Sequence, residues 1–232
     1  MKTYIIYLSN NKFSVKMANE TIKSLEFLNI EYELFNGVKG NEGKNILSKY
    51  KRYPSVHVNK WEEGTIGCLA SHYILWDRCA RQNEPFLVLE QDAILVRDPR
   101  DILDEIDKIC HLDAMNPFDL DNENHFKAYN DSMLTNTPGV SKYPYNTFYG
   151  KNHKIIPNGC FRGTYGYIIK PEGAKDILKW TKKHGIFPSD ACLNHHATNL
   201  QRSNSTYVRL NPFFKSINLQ QEHSLRNPKN KI

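Results

Sequence analysis

The sequence holds no C-x-x-C pair, no apolar run near the length of a membrane span and no excess of acid, and each absence removes a class of protein. Its five cysteines, Cys68, Cys79, Cys110, Cys160 and Cys192, are odd in number and scattered. That spacing argues against a zinc ribbon or a disulfide framework and for reduced, mostly buried small residues. Crossing a bilayer takes about 18–20 consecutive apolar residues, so no transmembrane segment is expected. The chain passes from Met1-Lys2 straight into Thr3-Tyr4-Ile5-Ile6-Tyr7-Leu8, without an apolar leader or a small-residue cleavage site, and a cytoplasmic location is the expectation. No internal repeat, helix-turn-helix or zinc-finger signature is present. Disorder is excluded as well, because 40% hydrophobic residues in a chain of 232 suffice for a core. That length fits one large domain over 1–232. The net charge of +6 suits a phosphate-rich partner, whether nucleotide, anionic lipid headgroup with peripheral membrane association, or nucleic acid.

What the sequence does contain is concentrated in Pro85-Phe86-Leu87-Val88-Leu89-Glu90-Gln91-Asp92-Ala93. A short apolar run of this kind fills a buried strand, and it empties into two carboxylates one residue apart. On an extended backbone such residues point to one side, so Glu90 and Asp92 can converge on a hard divalent cation, which takes oxygen ligands. The carboxyl end of a buried strand is also where ligands bind in open α/β sheets. The plainer alternative is a strand ending in solvated acids.

Periodicity places the remaining elements. A strand ends at Leu8, and a helix over about Ser14–Leu28 carries Val15, Ala18, Ile22 and Leu25 on one face, with Ser14 as its N-cap. Tyr32–Phe35 reads as a strand and Lys39–Lys60 as a loop with at most a short helix. A helix with Ile66, Leu69, Ala70 and Tyr73 inward ends near Arg81, and Pro99–Ile109 forms another with Ile102, Leu103 and Ile106 inward. Residues 111–158, rich in Asn, Asp, Tyr and Pro, form a long insertion, either acceptor-facing or a decorative insert. Its aromatic residues Tyr129, Tyr143, Tyr145, Phe148 and Tyr149 offer faces on which sugars or bases stack. Thr164–Ile169 is a strand, Pro171 opens a helix that Gly185 stops, and Ser189 caps a helix through Leu193. Tyr207–Leu210 makes a last strand, and residues 225–232 form a frayed tail. Strands alternating with helices predict an α/β fold with a mostly parallel central sheet flanked by helices.

Several segments together resemble glycosyltransferase family 25, which includes bacterial lipooligosaccharide galactosyltransferases and the galactosyltransferases acting on collagen hydroxylysine. Gly67-Cys68-Leu69-Ala70-Ser71-His72 is similar to the family's G-C-x-x-S-H segment, and Leu89-Glu90-Gln91-Asp92-Ala93 to its L-E-D-D-A strand. Tyr4–Leu8, Phe35-Asn36-Gly37-Val38-Lys39-Gly40, Gly163–Ile169, Gly173-Ala174-Lys175 and Phe187-Pro188-Ser189-Asp190 match further motifs in the family's order. The resemblance spans nearly the whole chain and departs from the pattern at Gln91, where the family has Asp. It implies a GT-A-like domain and a metal-dependent, inverting transfer of a sugar from a nucleoside-diphosphate sugar to an acceptor hydroxyl.

The resemblance also distributes roles. Asp92 is expected to bind Mn²⁺ or Mg²⁺ directly, with Glu90 on the metal, its water or the ribose, and His223 as a late ligand or simply a solvated histidine. Asp190 is the candidate general base, or else a helix-terminal acid stabilised by the dipole. Leu8, Ser9, Ser71, His72, Glu90, Gly163 and Thr164 are the candidate donor-binding residues. His72 alternatively locks helix to strand, and Gly163 alternatively serves packing. His195 and His196 cannot both face one way on a regular helix, so one of them is structural or exposed. The acceptor is a lipooligosaccharide-type glycan or, alternatively, DNA with hydroxymethylated bases as in some bacteriophages. A non-catalytic sugar-nucleotide-binding protein is a third reading that Gln91 permits.

Overall fold

The computed structural model describes residues 1–49, 63–114, 136–144 and 159–211. The elements in chain order are β1 (Lys2–Tyr7), α1 (Lys12–Phe27), β2 (Glu33–Asn36), α2 (Gly40–Lys49), α3 (Glu63–Gln82), β3 (Phe86–Glu90) and β4 (Ala93–Leu95). A 3₁₀ turn (Pro99–Glu105) leads to β5 (Ile109–His111) and β6 (Val140–Lys142), followed by β7 (Gly166–Ile169). The chain continues through α4 (Pro171–His184), α5 (Ser189–Cys192), β8 (Leu200–Ser203) and β9 (Val208–Leu210). Seven strands form one sheet in the order β2-β1-β3-β7-β5-β8-β6. Strands β2, β1, β3, β5 and β8 run one way, and β7 and β6 run the other. The mostly parallel α/β sheet expected from alternation is therefore present, with the antiparallel β7 at its centre. Strands β4 and β9 pair in a separate antiparallel ribbon.

The period-two pattern of the strands decides which helices cover which face. Tyr4, Phe86, Val88, Ile109, Tyr167 and Ile169 point into a cluster with Ile66, Leu69, Tyr73 and Trp76 of α3 and Ala174 and Ile177 of α4. Their neighbours Ile5, Leu87, Leu89, Cys110 and Ile168 point the other way, onto Ala18 and Leu25 of α1 and onto Leu95, Ile102, Ile106 and Val208. Phe86, Leu87, Val88 and Leu89 are all fully buried, as a strand covered on both faces requires. Burying each such side chain contributes about 1.5–3 kcal/mol.

Local chemistry moved several boundaries from the expected ones. Asn11, not Ser14, caps α1, its side chain accepting from the amides of Phe13 and Ser14 at 2.9 and 3.0 Å. Residues 40–49 form a ten-residue helix, α2, where a loop with at most a short helix was expected. The expected helix over Pro99–Ile109 stops at Glu105 as a 3₁₀ turn, because Ile109 and Cys110 are taken into the sheet as β5. Pro171 and Gly185 bound α4 as expected, with Gly185 at φ 85°, a left-handed conformation that favours glycine. Ser189 does not cap α5, since that helix has no side-chain cap. Within 111–158, Tyr143 is buried, whereas Tyr129, Tyr145, Phe148, Tyr149 and the tail lie outside the described residues.

Candidate functional site

Strand β3 delivers the acids to the edge of the sheet, but not both on the strand. Glu90 is its last residue, and Gln91 and Asp92 form the turn into β4. That turn is pinned through its backbone. The Gln91 carbonyl accepts from Thr21 Oγ1 at 2.7 Å, and the Asp92 carbonyl accepts from the Asn211 amide at 2.8 Å. The Gln91 side chain points at α1, where its Oε1 accepts a short hydrogen bond from Ser14, whose Oγ in turn accepts from the Leu8 amide at 2.7 Å. Gln91 thus ties the acid turn to the end of β1, and Glu90 and Asp92 are the two acids of the motif.

Glu90 is held by two elements. Its Oε1 accepts from Thr164 Oγ1 at 2.5 Å and lies 3.2 Å from His72 Nε2. His72, on α3, is fully buried, and its Nδ1 lies 2.9 Å from Tyr167 Oη, which also accepts the Trp76 indole N–H at 2.8 Å. In the neutral ring that takes the Tyr167 proton on Nδ1, the Nε2 proton faces Glu90, and in the imidazolium it does so as well. Burial opposes charge on His72, but Tyr167, Cys68 and Glu90 outweigh it and hold the imidazole well above its ordinary pKa. Gly163, at φ 86°, makes the left-handed turn that brings Thr164 onto Glu90.

Asp92 is half-buried, and its Oδ1 is enclosed without a hydrogen-bond partner among the described residues. Burial first, and the neighbouring Glu90 charge second, push its carboxyl up to about 7. An enclosed carboxylate oxygen beside a second acid is an arrangement that a bound cation stabilises, so these residues fit a divalent ion.

The other candidate residues take distinct places. Register pairs Ile6 with Glu90, so Leu8 and Ser9 leave β1 at the same sheet edge as the acids. The Ser9 amide is bound to Asn36 Oδ1 at 3.0 Å. The Ser71 hydroxyl is committed inside the fold, donating to the Gly67 carbonyl and accepting from the Val38 amide, each at 2.8 Å. Gly67 lets α3 approach there, since a Cβ would stand 2.5 Å from the Val38 oxygen. Asp190 is 8% exposed on the short α5, and its Oδ1 accepts from the Ala191 amide at 2.9 Å. His195 Nε2 binds the Tyr143 carbonyl at 2.8 Å, whereas His196 is exposed, so the two histidines do diverge. His223 lies outside the described residues.

Ser189 joins Asp190 to the Glu90 cluster and was not among the expected site residues. Its Oγ lies 3.2 Å from Thr164 Oγ1 and 3.4 Å from Cys68 Sγ. Cys68 was also missed, although its i, i+4 spacing to His72 places the two on one face of α3. The Pro-Ser-Asp segment draws attention to the acid and away from the hydroxyl beside it.

A family model described as glycosyltransferase family 25 (LPS biosynthesis protein) matches residues 1–193. The lipooligosaccharide biosynthesis protein lex-1 of Haemophilus influenzae is 28% identical over 130 residues, 55% of this chain and 39% of the relative. The lipooligosaccharide biosynthesis protein lic2B of Haemophilus influenzae is 30% identical over 152 residues, 64% of this chain and 53% of the relative. The matches therefore span about half or less of these relatives' lengths. Among solved structures, A197 from STIV aligns over 90% of this chain and 84% of its own at 13% identity, with a TM-score of 0.36. At that distance it carries no argument about function.

Proposed function

The chain belongs to glycosyltransferase family 25, and on that premise we propose that it moves a sugar from a nucleoside-diphosphate donor to a hydroxyl of a lipooligosaccharide-type glycan, with inversion. The observation that carries the reading is the acid pair at the end of β3. Glu90 is oriented by His72 and Thr164, and Asp92 keeps an enclosed Oδ1 with no hydrogen-bond partner among the described residues. Asp92 and Glu90 would hold Mn²⁺ or Mg²⁺, with His223 a further ligand. The ion supplies Lewis-acid neutralisation of the departing diphosphate. Leu8 and Ser9, at the same sheet edge, and Gly163 and Thr164, on the other side of Glu90, bracket the space for the nucleotide-sugar. Ser71 supports that space by tying α3 to the Val38 amide. Asp190, tied through Ser189 to Thr164, takes the acceptor proton as general base. The sheet order and the acid turn suit a single GT-A-like domain. Among the described residues no helix is long and apolar enough to cross a membrane.

The relatives' names favour a glycan over hydroxymethylated DNA as acceptor. The test is to incubate the protein with a panel of nucleotide-sugars and Mn²⁺, measure nucleotide release, and then add lipooligosaccharide or hydroxymethylated DNA in separate reactions. Donor-specific release that glycan accelerates and EDTA abolishes is expected. No release with any donor would leave a binding protein, and acceleration by DNA alone would move the acceptor.

A further inference from the structure

Four of the five cysteines are buried, and Cys68 is the half-buried exception. Burial pushes the thiols of Cys79, Cys160 and Cys192 up to about 12 and that of Cys110 up as well, so these four are inert packing groups. Cys68 instead stands one helical turn before His72, at the rim of the acid site. Its Sγ, a ring nitrogen of His72 and a carboxylate oxygen of Glu90 all lie within 4.8 Å of one another.

We infer that Cys68, His72 and Glu90 form a second cation site, selective for a borderline-soft divalent ion such as Zn²⁺, whose occupancy competes with the acid pair for Glu90. The donor set is one sulfur, one nitrogen and one oxygen, which suits Zn²⁺ and not the harder Mg²⁺. Zinc bonds of about 2.0–2.3 Å in a tetrahedron put neighbouring ligand atoms roughly 3.3–3.6 Å apart. His72 Nε2 and Glu90 Oε1 already stand 3.2 Å apart, close to that spacing. The ring is braced from behind, as metal-bound imidazoles are: Nδ1 meets Tyr167 Oη, which Trp76 fixes in turn. Partial exposure of Cys68 and of the Glu90 side chain gives the ion a way in. On binding, the thiol and Nε2 give up their protons, and Glu90 can no longer serve both cations.

The test titrates Co²⁺ into the full chain, because a thiolate ligand produces an intense near-ultraviolet charge-transfer band and oxygen ligands do not. The band is expected in the wild type, displaced by Zn²⁺ and absent in Cys68→Ser. In the presence of Mn²⁺, Zn²⁺ should inhibit nucleotide release from a donor, with Cys68→Ser at least tenfold less sensitive. No charge-transfer band in the wild type, or equal Zn²⁺ sensitivity of the two proteins, would overturn the inference. The inhibition arm rests on the transferase reading, whereas the spectrum does not. A band without turnover would therefore keep the site and reject the activity.

Discussion

Two buried histidines flank β7, and they have opposite electrostatics. His72 is fully buried among Tyr167, Glu90 and Cys68, and its pKa is raised well above 6.5. His111 is 2% exposed, ringed by Tyr143, Phe161 and Tyr165 with centroids 6.0, 5.0 and 5.2 Å away, and its pKa is pushed down to about 4. Burial is the same at both positions and works against charge at both. What differs is the partner. The Tyr167 hydroxyl, the Cys68 thiol and the Glu90 carboxylate repay the desolvation of His72, while the backbone of Asp113, whose amide meets Nδ1 at 3.3 Å, and of Gly163 does not offset that of His111. A buried histidine is thus part of a polar site or part of a core according to what faces its nitrogens.

The two regions answer mutation differently, and the acid side carries the larger effects. Asp92→Ala should abolish divalent-dependent turnover while the protein stays folded, checked by nucleotide release in Mn²⁺ against EDTA beside circular dichroism. Wild-type activity in that variant would remove the ion from the acid pair. Asp190→Asn should bind donor normally, melt close to wild type and lose transfer by at least about a hundredfold. A purely structural acid would instead cost roughly 0.3–1 kcal/mol of stability and little turnover.

His72→Gln should cost about 10–100-fold in turnover at saturating donor, as loss of an orienting partner does. If His72 only locks α3 to the sheet, thermal stability should fall and turnover at low temperature should hold. His111→Asn should leave turnover near wild type and change the pH dependence of stability instead. A depressed folded pKa contributes stability that is present above the unfolded value of 6.5 and lost as pH falls toward about 4. That contribution amounts to about 3 kcal/mol. Urea midpoints between pH 7 and 4.5 should therefore fall less steeply in the variant than in the wild type. Parallel slopes would mean that other groups govern acid unfolding.

Legibility from sequence followed the length and regularity of the pattern. Strand β3 and helix α4 were readable, the first as a continuous apolar run and the second through Pro171, Gly185 and an apolar face between them. Strands β4, β5 and β8 were not, because three or four residues carry no period of their own. Ile109 even fell inside an expected helix until the sheet claimed it. The acids were found by their spacing, yet Asp92 proved to sit in a turn, and Ser189 and Cys68 were passed over beside more conspicuous neighbours.

The sequence by itself determined the alternation that makes the α/β sheet, the end of β3 as the place for the acids and the family to which the chain belongs. Those properties are carried by local spacing and by contiguous motifs. Only the tertiary structure decided that Gln91 braces α1, that Ser71 is used up on backbone, and that His72 faces an acid while His111 faces aromatic rings. Hydrogen-bond partners and desolvation depend on residues tens of positions away in the chain, and no spacing along it encodes which of them will meet.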